Sequence, residues 1–144
     1  MSLRITEIPI TIIGIEDDGF HLLVKGQING LDANFLIDTG ASRSVFDQTG
    51  ILAYIGEVDF EDNEKLSTGL GTNSMPSQVT NIQSIAFGDL IVSDYTAIAI
   101  DLKHVSASYE KLGLPQIDGI LGGDLLKRFR CVINYRTRKM KFYS

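Results

Sequence analysis

Apolar and polar residues alternate with a period of two along much of this chain. Ile8, Ile10 and Ile12 share one face between residues 4 and 13, Phe20, Leu22, Val24 and Ile28 do so in the next segment, and Leu31, Ala33, Phe35 and Ile37 follow. Successive strand side chains point to opposite faces, so this spacing predicts short, half-buried strands. Asp17-Asp18-Gly19 and Asn29-Gly30 separate the three runs and suit tight hairpin turns, because Asn and Gly tolerate positive φ. Further strands are expected near 66–70, 75–86, 90–100, 131–135 and 139–143, with Gly88-Asp89 as another turn. The class is mainly β. Two helical segments interrupt it. Asp124 can cap the run Leu125 to Arg130, with basic residues at its far end, and residues 101–114, which carry Leu102, Val105 and Leu112 and stop before Pro115, fit a surface helix or an ordered loop.

A chain of 144 residues has room for one ordinary domain, here expected over residues 1–144. With 44% hydrophobic and 22% charged residues and only 3 prolines, it is neither disordered nor collagen-like, and must hold by its core. No apolar run reaches the length of a membrane helix and no leader pattern opens the sequence, so a cytoplasmic protein that does not enter the membrane is expected. Cys131 has no intramolecular disulfide partner, and with His21 and His104 it forms no zinc-ligand spacing. No metal and no organic cofactor are implied. The net charge of −5 argues against a nucleic-acid-binding surface, yet the distribution is uneven. Residues 127–144 carry seven bases (Lys127, Arg128, Arg130, Arg136, Arg138, Lys139 and Lys141) and no acid. This tail reads either as a solvated face that offsets acids elsewhere or as a contact for nucleic acid or an acidic ligand.

The strongest chemical signal is Phe35-Leu36-Ile37-Asp38-Thr39-Gly40-Ala41-Ser42: a strand delivers Asp38 to its end, Thr39 adds a hydroxyl, and Gly40 allows close backbone approach. A looser echo, Ile117-Asp118-Gly119-Ile120-Leu121-Gly122, follows late in the chain. The first segment resembles the active-site stretch of the retropepsin-like aspartic proteases, and Ile120-Leu121-Gly122-Gly123-Asp124-Leu125-Leu126 is similar to that family's later segment, in which two hydrophobic residues and a glycine thread beneath the active-site loop before a short helix. The resemblance spans roughly residues 20 to 143, with its specificity in those two segments. It implies a small closed or partly closed β-barrel with one short C-terminal helix and a flap hairpin, acting as an aspartic endopeptidase.

In the mechanism the resemblance implies, two aspartates hold a water and divide the roles of base and acid, since like charges a few ångströms apart cannot both ionise cheaply. This chain has one Asp-Thr-Gly. A symmetric homodimer supplies the second Asp38. The family implies Asp38 as catalytic residue, Thr39 and Gly40 as loop supports with Ala41 and Ser42 beside them, and Ile120, Leu121 and Gly122 as candidates for the substrate groove. Asp118 falls just before that last element, where a groove position and a plain turn aspartate are both open; neither it nor Asp124 is followed by Thr-Gly or Ser-Gly. Thr68, Gly69, Leu70 and Gly71 offer a pliable hairpin tip where the family carries its flap, although a plain surface hairpin also fits. They form no phosphate loop, lacking the Gly-Lys-Ser/Thr ending. Neither His21 nor His104 sits in a nucleophile-activating context. The implied substrate is an extended peptide or protein bound by strand-like pairing, with the chain termini interleaving at the dimer interface. A catalytically silent peptide-binding module of the same fold is one alternative; an adaptor using the basic tail for RNA or an acidic partner is another.

Overall fold

The structure is a computed structural model that describes residues 3–15, 19–55, 77–144 and the backbone of 61–62. Eleven strands are described: β1 (Ile5–Pro9), β2 (Thr11–Ile15), β3 (Gly19–Ile28), β4 (Leu31–Ile37), β5 (Val45–Asp47), β6 (Glu61–Asp62), β7 (Gln78–Phe87), β8 (Leu90–Ile100), β9 (Gly119–Leu121), β10 (Val132–Asn134) and β11 (Lys139–Tyr143). Three short helices accompany them: α1 (Leu52–Ile55), α2 (Lys103–Lys111) and α3 (Gly123–Arg128).

The hairpins stand where the alternation places them. β3 and β4 meet at Asn29-Gly30, both with positive φ (50° and 82°), and β7 and β8 meet at Gly88-Asp89. The run of residues 4 to 13 divides at Ile10 into β1 and β2, which enter different sheets, yet Ile8 and Ile10 are both buried and Ile12 packs against the same core. The strand expected at 66–70 and the flap candidates Thr68, Gly69, Leu70 and Gly71 lie outside the described residues. The open choice at 101–114 resolves as α2.

The larger sheet runs β2-β3-β4-β9-β5-β8-β7-β6, and an added β3–β7 pairing joins its interior ends. Strands β3, β4, β9, β5, β8 and β7 thus close into a six-stranded barrel. Closure depends on Gly26, where a Cβ would stand 2.7 Å from the Ala86 carbonyl oxygen and 2.9 Å from the Phe87 ring, immediately before the Gln27–Ala86 and Ile28–Ile85 pairs. Inside, Phe35 meets Phe46 and Phe87 edge-on, while Phe87 stacks on Phe142 with centroids 5.3 Å apart.

Phe142 belongs to the second sheet, β1-β11-β10, whose inner side (Ile8, Met140, Phe142) is buried against the barrel core. β1 pairs with β11 of its own chain from Ile5–Tyr143 to Pro9–Lys139, so the amino- and carboxyl-terminal strands complete each other within one molecule. α2 covers a smaller cluster in which Leu23, Tyr109 and Ile117 are buried beside Leu36 and Val105. That cluster explains why β3 breaks alternation at Leu22-Leu23-Val24: both faces of the strand are covered there.

Candidate active site

The two echoing segments lie side by side. β4 and β9 pair in parallel, with Phe35 opposite Gly119, Leu36 opposite Ile120 and Ile37 opposite Leu121. The ladder continues one step into the loop, where the Asp38 N–H donates to the Leu121 carbonyl at 3.0 Å. Asp38 therefore leaves the sheet at a fixed point, and its chain turns at once: the Ala41 N–H donates to the Asp38 carbonyl at 3.1 Å, and the Gly40 N–H donates to Asp38 Oδ1 at 3.0 Å. The Asp38 carboxylate, Thr39 and Gly40 are exposed, Ala41 is half-buried and Ser42 is exposed. A backbone donor at Gly40, rather than the Ser42 hydroxyl, thus supports the carboxylate.

Behind the loop, Gly122 and Gly123 thread under residues 41–43. The Gly123 N–H donates to the Ala41 carbonyl at 2.7 Å. A Cβ on Gly122 would stand 2.5 Å from the Arg43 carbonyl oxygen and 3.0 Å from that of Ala41, a closeness that only glycine permits. The buried Ser44 then ties three pieces together. Its Oγ accepts from the Gly122 N–H at 2.8 Å and donates to Asp124 Oδ1 at 2.7 Å, while its own N–H donates to that oxygen at 2.7 Å. Tyr95 on β8 donates its hydroxyl to Asp124 Oδ2 at 2.5 Å. Burial pushes the Asp124 carboxyl pKa up, but the hydrogen bonds from Tyr95, the Ser44 hydroxyl and the Ser44 and Leu125 backbones outweigh it, leaving the pKa below the ordinary carboxylate value. Burial foremost, with Asp124 as its partner, raises the Tyr95 pKa.

Asp124 is therefore not the residue that caps α3. The cap position is Gly122, Asp124 lies in the first turn, and its side chain reaches out to the loop that carries Asp38. Sequence offers the helix N–H groups as its nearest partners; Ser44, 80 residues upstream, and Tyr95 are brought up only by the barrel.

The groove candidates at 120–122 are corrected in part. Leu121, at 1% exposure, belongs to the core, and Gly122 is buried under the loop; Ile120 is half-buried. The cavity of about 430 Å³ that reaches Asp38 and Thr39 is instead lined by Phe20, His21 and Leu22 from β3, Leu36 and Ile37 from β4, and Ile133 and Tyr135 from the C-terminal segment. His21 is oriented by Tyr109, whose hydroxyl shares a hydrogen bond with Nδ1 at 2.8 Å. Nothing in the sequence signals that link between β3 and α2.

Asp118 stands far from Asp38. Its Oδ2 accepts from the Asn34 N–H at 2.8 Å, which places it four residues back along the β4–β9 pair, roughly 13 Å at strand rise. Burial raises its pKa, opposed by the Asn34 N–H and the Tyr54 hydroxyl. With Asp124 held in its own network, neither acid meets Asp38 within one chain. Cys131 is half-buried and its thiol is pushed up to about 11 by burial, the condition of a packing residue. Among the described residues, no group of three or more His, Cys, Asp or Glu side chains could hold a metal ion, and no helix is long and apolar enough to cross a membrane.

Comparison with known proteins agrees with this architecture. Among proteins of curated function none matches the chain. A retropepsin-like aspartic protease from Rickettsia conorii has a similar structure, with a TM-score of 0.58 and 17% identity over 99% of this chain and 92% of that one. The retroviral protease-like domain of Ddi1 from Leishmania major matches with a TM-score of 0.50 and 17% identity over 81% of this chain and 82% of that one. The family model for aspartyl protease matches residues 24–125, from the middle of β3 into α3 and so across both the Asp38 loop and the strand beneath it. By that match the chain belongs to the aspartyl protease family, and its fold is retropepsin-like.

Proposed function

We propose that the protein is an aspartic endopeptidase that cleaves an extended peptide with two Asp38 carboxylates, one from each subunit of a homodimer. The observation that carries this reading is the setting of Asp38: exposed at the end of β4, supported by the Gly40 N–H, fixed from behind by Leu121 and Gly123, and opening onto a cavity large enough for side chains of a ligand. The chain contains no second Asp-Thr-Gly, and its other acids near the loop are engaged elsewhere.

With two such carboxylates sharing one proton, the ionised one takes a proton from a water held between them as the water oxygen attacks the scissile carbonyl carbon. The protonated one gives its proton to the carbonyl oxygen. The resulting diol collapses: one of its hydroxyls gives its proton to the carboxylate that is now ionised, the C–N bond breaks, and the leaving nitrogen takes a proton from the carboxyl that is now protonated, so the pair again holds one proton. In this proposal Thr39 braces the opposite loop. No metal or organic cofactor enters the cycle.

The test is Asp38→Asn. Hydrolysis of a peptide library should fall by about 10²–10⁴-fold, the usual contribution of a general base, while the unfolding temperature stays unchanged. Undiminished cleavage by the variant would refute the assignment. Unchanged peptide binding with no cleavage by the wild type would instead identify a silent peptide-binding module.

A further inference from the structure

The basic residues of 127–144 take no part in the proposed reaction, and the fold sets two of them side by side in a cleft of their own. We infer that the outer face of the sheet β1-β11-β10 is a docking site for an extended acidic segment of a partner polypeptide. The inference does not depend on the chemistry at Asp38.

The face follows from strand alternation. Met140 and Phe142 are buried in the core, so Lys139, Lys141 and Tyr143 of β11 point the other way. Burial of Thr6 and Ile8 likewise turns Ile5, Glu7 and Pro9 of β1 outward, and Ile133, packed on the core, leaves Val132 and Asn134 outward on β10. Register then sets Lys141 between Glu7 and Val132, and Lys139 between Pro9 and Asn134. A cleft of about 310 Å³ is lined by both lysines, with Val132 and Tyr143 as apolar walls. Among the described residues Lys139 has no acidic partner, and Lys141 meets Glu7 at 3.9 Å, a long contact between half-exposed groups. The exposed Arg136 and Arg138 add positive charge at the Lys139 end. The site therefore holds cationic charge that its own chain neutralises only in part.

Strand geometry selects the occupant. Lys139 and Lys141 stand two residues apart on one strand, so their stems rise roughly 6.7 Å from each other. An extended peptide has the same repeat, and acids at alternate positions of it meet both ammonium groups. Tyr143 continues the row by one further step and suits an apolar side chain there. A nucleic acid fits less well. Glu7 stands in the cleft itself, and residues 1–126 carry all 18 acids but only 6 of the 13 bases, so a long polyanion meets repulsion once it leaves the lysines. A short acidic segment ends within them.

Fluorescence anisotropy on Asp38→Asn, chosen so that the probe is not cut, tests the inference with two labelled peptides of one composition. In the first, two glutamates occupy alternate positions and a leucine follows two residues on; in the second the glutamates are adjacent, and so point to opposite faces of a strand. The first should bind at least about threefold more tightly, the worth of one exposed ion pair, and should weaken about fivefold as salt rises from about 50 to about 500 mM. Adding Lys139→Gln/Lys141→Gln should abolish both the preference and the salt dependence, while Lys25→Gln, at an exposed lysine of β3, should change neither. As a measurement that no folding defect of a variant can disturb, excess of the first peptide should slow acetylation of Lys139 and Lys141 in the unsubstituted lysine background and leave Lys25 as reactive as before. Equal affinity for the two peptides, or no protection of those lysines, overturns the docking site. Oligouridylate bound more tightly than the first peptide, through the same two lysines, overturns it in favour of nucleic acid. All of these results leave the Asp38 reading standing; cleavage that persists in Asp38→Asn would count against that reading and leave the docking site untouched.

Discussion

Replacing Asp124 tests whether the loop bearing Asp38 is held from behind. In the native chain its carboxylate accepts three hydrogen bonds, from the Ser44 N–H and hydroxyl at 2.7 Å each and from Tyr95 at 2.5 Å. A hydrogen bond to a charged group contributes about 1.5–3 kcal/mol net, and a buried donor left without an acceptor costs about 1–3. Ser44 is 1% exposed, so its N–H has no route to bulk water, whereas the half-buried Tyr95 recovers part of its loss by hydration. The three bonds share one acceptor group and do not add in full. Asp124→Ala should therefore destabilise the protein by about 3 kcal/mol. Asp124→Asn keeps an acceptor oxygen for Ser44 but turns an NH₂ group toward Tyr95, and should cost about 1–2 kcal/mol.

The charge adds a pH signature. Because the folded pKa of Asp124 lies below its unfolded value of about 3.9, the native state prefers the ionised form. The stabilisation is fully present above the unfolded pKa and is lost as pH falls through the folded one. Urea denaturation at neutral pH and at successive acid points, on wild type and both variants, reads both quantities. The wild type should lose stability on acidification more steeply than Asp124→Asn. Equal costs for Ala and Asn, both under about 0.5 kcal/mol, or parallel acid limbs, would show that the contacts carry no load and refute the reasoning.

Other positions yield sharper yes-or-no outcomes. Gly122→Ala forces a methyl to 2.5 Å from the Arg43 carbonyl oxygen, so residues 41–43 must move; thermal unfolding should show a loss of about 3 kcal/mol or more, and cleavage should vanish even in the folded fraction. Gly26→Val strikes the barrel closure at Ala86 and Phe87, and hydrogen exchange should show β3 and β7 losing protection near Ile28 and Ile85 before the rest of the sheet. Asp118 has the opposite sign to Asp124. Its folded pKa is raised, so the native state favours the protonated form, and stability falls as pH rises from the unfolded value through the folded one. Asp118→Asn, whose amide oxygen still accepts from the Asn34 N–H, should flatten that decline and leave neutral-pH stability equal or higher by up to about 1 kcal/mol.

The hairpins were legible in the sequence because their causes are local. Alternation and an Asn-Gly turn specify β3–β4 without reference to the rest of the chain. β5 and β9 were not legible: each is three residues long, too short to show a period, and each is a strand only because distant neighbours pair with it, β8 with β5 and β4 with β9. The Asp38 turn and the glycine beneath it could be read as motifs. The motif could not say which of Ile120, Leu121 and Gly122 faces outward, since that depends on the parallel register, which sends Leu121 into the core. Asp124 was misplaced for the same reason. Its local context offers a helix start, and its actual partners stand 80 and 29 residues away. Cavity walls drawn from Phe20, His21, Ile133 and Tyr135 join the two ends of the chain, which no local pattern encodes.

The strand beneath the Asp38 loop comes 83 residues after it, at Leu121. At translation speeds of about 5–20 residues per second, a ribosome takes roughly 4 to 17 seconds to produce the piece that anchors a turn it has already made. Throughout that interval the nascent segment has its acid but not its brace. Assembly order alone thus delays the braced loop until β9 has been made, and a message truncated before β9 would yield a product that never acquires it.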